Sequence, residues 1–113
     1  MYEYKIKKIA KIIDGDTLDV EIDLGFNVII SQRIRLAGID APETRTKNLE
    51  EKINGLESKR WLEEKLTTEK TMLIRTEKDD KYGRILGWIY LGEDDIPINT
   101  HMIKEGYAKP YPQ

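Results

Sequence analysis

Residues 18–24 read Leu-Asp-Val-Glu-Ile-Asp-Leu. Leu18, Val20 and Ile22 alternate with Asp19, Glu21 and Asp23, the two-residue period of a β-strand with one buried and one wet face. Upstream, residues 4–13 (YKIKKIAKII) are rich in Ile and alternate in part, which predicts a partner strand whose lysines form a solvated face. Between the two, Asp14-Gly15-Asp16-Thr17 suits a tight hairpin turn. Downstream, Gly25 and Asn27 mark the next turn. Residues 28–39 (VIISQRIRLAGI) predict a third, long strand that Gly38 is placed to bend. Residues 40–55 turn polar, with Pro42 and a closing Asn54-Gly55, and predict a mobile surface loop. Residues 55–66 predict a helix with Ser58, Leu62 and Leu66 on one face. Residues 71–76 and 85–91 predict a fourth and a fifth strand separated by a turn over 77–84. Residues 98–105 predict a second helix, started at Pro97 and stopped at Gly106. Three strands, a helix, two strands and a helix make an α+β, mainly β order. It is the layout of a five-stranded oligonucleotide-binding (OB-fold) β-barrel with two or three helices. No repeat or linker divides the sequence, so residues 1–113 read as a single domain.

Composition narrows the chemistry. The 113 residues contain no cysteine and one histidine, His101. Disulfides, Cys-ligated zinc, thiolate nucleophiles and two-histidine mechanisms are therefore excluded within one chain. A metal would have to be a hard one held by oxygen. Lys plus Arg number 19 and Asp plus Glu 21, a formal net charge of -2. No run of about 18 apolar residues is present, so no membrane span is expected. The opening MYEYKIKK has no apolar segment behind its basic residues. It predicts no secretory signal and a cytoplasmic protein, or a secreted one if a signal has been removed.

Several side chains could carry chemistry. If the first and third strands are neighbours, Asp16 and Asp40 converge, and two carboxylates with a backbone carbonyl or waters suit Ca²⁺. The competing reading is that both are turn formers. Arg35 shares a strand face with Arg33 and lies opposite Ile34 and Leu36. Arg84 follows a turn into the fifth strand. A guanidinium grips phosphate with a planar fork and stays charged, although each arginine taken alone also reads as a surface or strand-pairing residue. Trp61 and Trp88 read as core anchors, and His101 as a structural or surface histidine.

IIDGDT at 12–17, RIRLAGIDAPET at 33–44, GLESKRWL at 55–62, DKYGR at 80–84 and INTHMIKEGYA at 98–108 together resemble the staphylococcal nuclease (thermonuclease) family. The likeness runs from about residue 4 to about residue 108, with the pieces in order and at compatible spacing. It implies an OB-fold barrel and a Ca²⁺-dependent phosphodiesterase that hydrolyses DNA and RNA and leaves 3′-phosphate ends. Asp16 and Asp40 would ligate Ca²⁺, with the backbone carbonyl of Ala41, where the family usually has Thr. Glu43 would activate the attacking water. Arg35 and Arg84 would hold the scissile phosphate. Lys81 and Tyr82 would line the nucleotide pocket, and Tyr111 would stack on a base. The implied partners are single-stranded DNA and RNA, met by a monomer away from any membrane.

Two features depart from the family pattern. The net charge of -2 implies weaker, more salt-sensitive nucleic-acid binding than a basic relative would have. Arg33, Arg35, Arg45, Lys47, Lys81 and Arg84 are expected around the cleft, with Glu50, Glu51, Asp79 and Asp80 opposing them. The short segment after the second helix implies that the family's third helix is missing or very short. Two other readings compete with the enzyme: a non-catalytic OB-fold module binding nucleic acid or protein, and a Ca²⁺-dependent structural domain. The first usually lacks several of Asp16, Arg35, Asp40, Glu43 and Arg84, whereas the enzyme needs them together, and all five are present.

Overall fold

The computed structural model describes residues 2–68, 71–79 and 83–112. Five strands close a barrel: β1 (Tyr2–Asp14), β2 (Thr17–Asp23), β3 (Ile29–Leu36), β5 (Met72–Asp79) and β6 (Ile85–Leu91), in the order β1-β2-β3-β6-β5. A two-stranded pairing of β4 (Ile39–Asp40) with β7 (Lys109–Pro110) lies beside it. The helices are α1 (Leu49–Thr68) and α2 (Ile98–Lys104). The expected OB-fold arrangement is the observed one.

The alternation of residues 18–24 does what its period dictates. Leu18, Val20 and Ile22 are buried in the barrel, while Asp19, Glu21 and Asp23 lie on the outer face. There they stand opposite Lys11, Lys8 and Lys5 of β1, three cross-strand pairs of opposite charge. β1 itself keeps a three-residue spacing of inward side chains, Ile6, Ile9 and Ile12. Register shifts between Ile6 and Lys8, Ile9 and Lys11, and Ile12 and Asp14 explain why its alternation is only partial. Each shift re-phases the strand and increases its twist, which lets one long strand curl round the barrel.

Four sequence expectations need correction. The long third strand is broken: Gly38 takes φ +75°, so Ile39–Asp40 leave the barrel and pair with the tail instead. Of the polar stretch 40–55, only residues 41–48 are loop, because Asp40 belongs to β4 and α1 begins at Leu49. Asn48 caps it, its side-chain oxygen accepting the Glu51 N–H at 3.0 Å. Glu50 and Glu51 sit in the first turn, where the helix dipole favours negative charge. The fourth strand runs on to Asp79, through residues expected to turn. Trp88 is not a core anchor, because Gly87 and Ile89 take the inward positions of β6 and leave Trp88 half-buried outside.

Trp61 does anchor the core, stacked on Tyr107 at a centroid distance of 5.6 Å. Ser58, Leu62 and Leu66 are buried on the expected face of α1. α2 closes the barrel through Ile98 and Met102, and through Asn99. The Asn99 amide donates to Ala37 O at 2.8 Å and Gly87 O at 3.0 Å, and accepts from Ile89 N at 3.3 Å. It thereby satisfies backbone groups left where β3 and β6 part company. His101 pairs through Nε2 with Asp94 Oδ2 at 2.8 Å, tying α2 to the preceding turn. At the far end of the barrel, the β2–β3 hairpin carries Phe26 at φ 55°, a residue 99% exposed.

Asn99→Ala strands buried donors and acceptors and should lower the unfolding free energy by about 2–3 kcal/mol. Urea titration should show a lower midpoint at unchanged slope. Acid should act through Asp94. Asp94 lies below the usual 3.8, held first by the Ile96 N–H and then by His101. Its contribution is present above that value and disappears as pH falls through the lower folded-state value. The melting temperature of Asp94→Asn should therefore sit below wild type near neutrality, and the gap should close on acidification below pH 3.8.

Candidate functional site

The β1–β2 turn places Asp16 at the end of the barrel where β3 finishes. The Leu36 N–H donates to Asp16 O at 2.8 Å, which pins the turn to β3. The carboxylate is buried. Its Oδ1 accepts from the Thr17 hydroxyl at 2.9 Å and its Oδ2 from the Ala41 N–H at 2.9 Å. One side chain thus ties the first hairpin to the residue after Asp40. The turn packs closely: a Cβ at Gly15 would lie 2.9 Å from Ser58 Cβ and 3.0 Å from Ala41 Cβ.

Arg35 stands opposite Thr17 in the β2–β3 register. Its Nη1 lies 3.3 Å from Asp16 Oδ2 and donates to Leu36 O at 3.2 Å, and its Nη2 lies 3.7 Å from Asp40 Oδ1. Arg35 and Asp16 side chains are 9% and 10% exposed, whereas Asp40 is 44% exposed. Arg33 meets a different fate. It reaches back to Asp19, Nε to Oδ1 at 2.8 Å, and its side chain stays 54% exposed. That bond is the first cause of the lowered pKa of Asp19.

The tail covers Arg35. Asp40 pairs with Lys109, and the Tyr111 N–H donates to Gly38 O at 2.9 Å. These bonds bring the Tyr111 ring to 5.7 Å from the Arg35 guanidinium carbon, within cation–π range. The structure thus brings Asp16, Arg35, Asp40, Ala41 and Tyr111 together.

Glu43 is exposed on the segment that leaves Ala41 for α1. That segment is held by Thr44, whose N–H and hydroxyl both donate to Asp14 Oδ1, at 3.1 and 2.7 Å. Arg84 is half-buried and immediately precedes Ile85, which faces Ile34 on the strand that carries Arg35. Lys81 and Tyr82 lie outside the described residues. Sequence reading missed Asp14 and the first turn of α1. The signal for the helix start was Asn48-x-x-Glu51, a capping residue followed three places later by Glu.

Two carboxylates and one guanidinium leave this cluster net negative, and every metal-capable donor in it is an oxygen. The set fits a hard divalent cation held by Asp16, Asp40 and the Ala41 carbonyl, with waters completing the shell. Among the described residues, no group of three or more His, Cys, Asp or Glu side chains is placed to hold an ion. A cleft of about 580 Å³ opens from Asp40 and Ala41 and runs between α1 and the tail, lined by Glu50, Glu51 and Glu57 as well as Lys109.

The family described as "Staphylococcal nuclease homologue" matches residues 33–113, a span holding Arg35, Asp40, Glu43 and Arg84. The chain belongs to this family. Among staphylococcal nuclease homologues, it is 33% identical over 103 residues to the thermonuclease of Staphylococcus hyicus, covering 90% of this chain and 57% of that protein. It is 31% identical over 109 residues to an uncharacterised endonuclease of Escherichia coli, covering 94% and 61%. It is 30% identical over 133 residues to an uncharacterised protein of Methanocaldococcus jannaschii, covering 97% and 61%. The chain thus spans about three fifths of the length of these relatives.

The two strand arginines should respond differently to removal. Arg35→Met leaves a buried Asp16 without its cation and should cost about 3–5 kcal/mol. Arg33→Met breaks an exposed, solvent-screened pair and should cost far less. Denaturant titration of the two variants checks the contrast.

Proposed function

We propose that this staphylococcal nuclease homologue is a single-domain, monomeric, Ca²⁺-dependent nuclease acting on single-stranded DNA and RNA. The observation that supports it most is the meeting of Asp16, Arg35 and Asp40 at one end of an OB-fold barrel. Asp16, Asp40 and the carbonyl of Ala41 would hold Ca²⁺. Bound there, the cation supplies Lewis-acid polarisation of a phosphate oxygen.

The chain's own residues account for the rest. Arg35 and Arg84 bind the non-bridging phosphate oxygens and offset the charge that grows on them as a fifth oxygen approaches phosphorus. Arg35 is suited to this because its carboxylate neighbours and Tyr111 fix its orientation before substrate arrives. Glu43 accepts a proton from the attacking water. The water oxygen bonds to phosphorus, the bond from phosphorus to the 5′ oxygen breaks, and that oxygen leaves with a proton. The products are a 3′-phosphate and a 5′-hydroxyl. Lys81 and Tyr82 contact the nucleotide, and the half-exposed Tyr111 ring offers a stacking face for a base. The acidic wall of Glu50, Glu51 and Glu57 disfavours a strand along α1, consistent with weak, salt-sensitive binding.

Incubation with a labelled single-stranded oligonucleotide should give cleavage with Ca²⁺ and none with chelator, with 3′-phosphate ends on the products. Arg84→Ala should slow turnover about 10²–10³-fold. Glu43→Gln should slow it about 10²–10⁴-fold with little change in binding. Intact substrate under both conditions, with binding retained, would establish the non-catalytic module instead.

A further inference from the structure

We infer that Gly55 is a positioning residue for Glu43: the bare backbone of α1 at Gly55 is the seat on which the Pro42–Glu43 carbonyls rest. The inference rests on the nuclease reading, in which Glu43 accepts the proton.

Gly55 lies in the interior of α1, where glycine is the poorest choice after proline. Its presence there calls for a local reason, and the contacts supply one. A Cβ at this position would run into the carbonyl oxygen of Glu43, 2.7 Å from the Glu43 carbonyl carbon and 2.9 Å from Pro42 O. All three obstacles are backbone atoms, so no side chain can swing aside. The segment has nowhere easy to go. Its start is fixed by the Ala41 N–H on Asp16 at 2.9 Å, and its end by Thr44 on Asp14 at 2.7 and 3.1 Å. The helix is equally fixed, since Ser58 donates to Tyr107 O at 2.6 Å and Leu62 and Leu66 are buried in the core. Glu43 is exposed, and its main chain is what rests on the helix. Its place relative to Asp40 therefore follows from where the helix lets its main chain lie.

An added methyl group separates two kinds of role. If Gly55 were merely a weak helix residue, Gly55→Ala would stabilise α1 and leave catalysis alone. If it seats Glu43, the methyl group pushes the segment off the helix and displaces the carboxylate. A displacement near 1 Å typically costs about a hundredfold in rate.

The test measures kcat, KM and melting temperature for wild type, Gly55→Ala, Thr44→Val, Glu43→Gln and the two double variants with Glu43→Gln, on one oligonucleotide with Ca²⁺. Gly55→Ala should lose about a hundredfold in kcat, with KM within about threefold of wild type. Thr44→Val, which loosens the other end of the segment, should lose about tenfold. Each double variant should be no slower than Glu43→Gln alone within about twofold, because the loss acts through the same carboxylate. Gly55→Ala matching wild type within about threefold, or losses that multiply in the double variants, would overturn the inference while leaving the nuclease reading intact. Should Gly55→Ala fail to fold, the Thr44→Val pair decides by the same criterion. A wild-type protein that cleaves nothing overturns the nuclease reading and this inference with it.

Discussion

The buried carboxylate of Asp16 is the constraint around which this end of the molecule is arranged. An ionised aspartate removed from water is tolerated only when its oxygens are met by donors. Here the donors come from three places: the neighbouring Thr17 hydroxyl, the Ala41 main chain and the Arg35 guanidinium. Those donors sit on the first hairpin, on the segment leading to α1 and on β3. Satisfying one side chain therefore fixes the relative position of the first hairpin, β3 and the segment that follows it. The same bonds that make the fold unique bring Asp40 beside Arg35.

Stability and the proposed chemistry pull in opposite directions here. Two carboxylates share one cation, which leaves an excess of negative charge that water screens only at the Asp40 side. A structure optimised for stability alone would have matched the charges or replaced them with apolar side chains. The mismatch has a use if a divalent ion completes the set.

Much of the barrel was legible because β2 obeys a strict period of two, and because turn residues punctuate the strands. The helix start at Leu49 was hidden for a physical reason. Its apolar residues Leu49, Ile53 and Leu56 all stay exposed, so hydrophobic periodicity does not point to a buried face there, and the Asn48 cap reports the start. The break at Gly38 was marked by a glycine, but the pairing of Ile39–Asp40 with the tail is a long-range event that no local pattern encodes. The candidate site followed the same division. Asp16, Asp40, Arg35 and Arg84 stood out by their turn and strand positions, and Glu43 through the family resemblance. Asp14, which anchors Thr44, looked like ordinary turn chemistry, and Gly55 like the end of a loop. Residues that place other residues leave a faint trace in sequence, because their effect lies in what they permit.

The hairpin tip at Phe26 sits at the opposite end of the barrel from Asp16. A bare phenyl ring on a left-handed backbone neither packs on the molecule nor favours its own conformation. Glycine or asparagine at that corner would relax the turn. The tip is accordingly the natural place to graft a fluorophore or an immobilisation handle without perturbing events at the other pole.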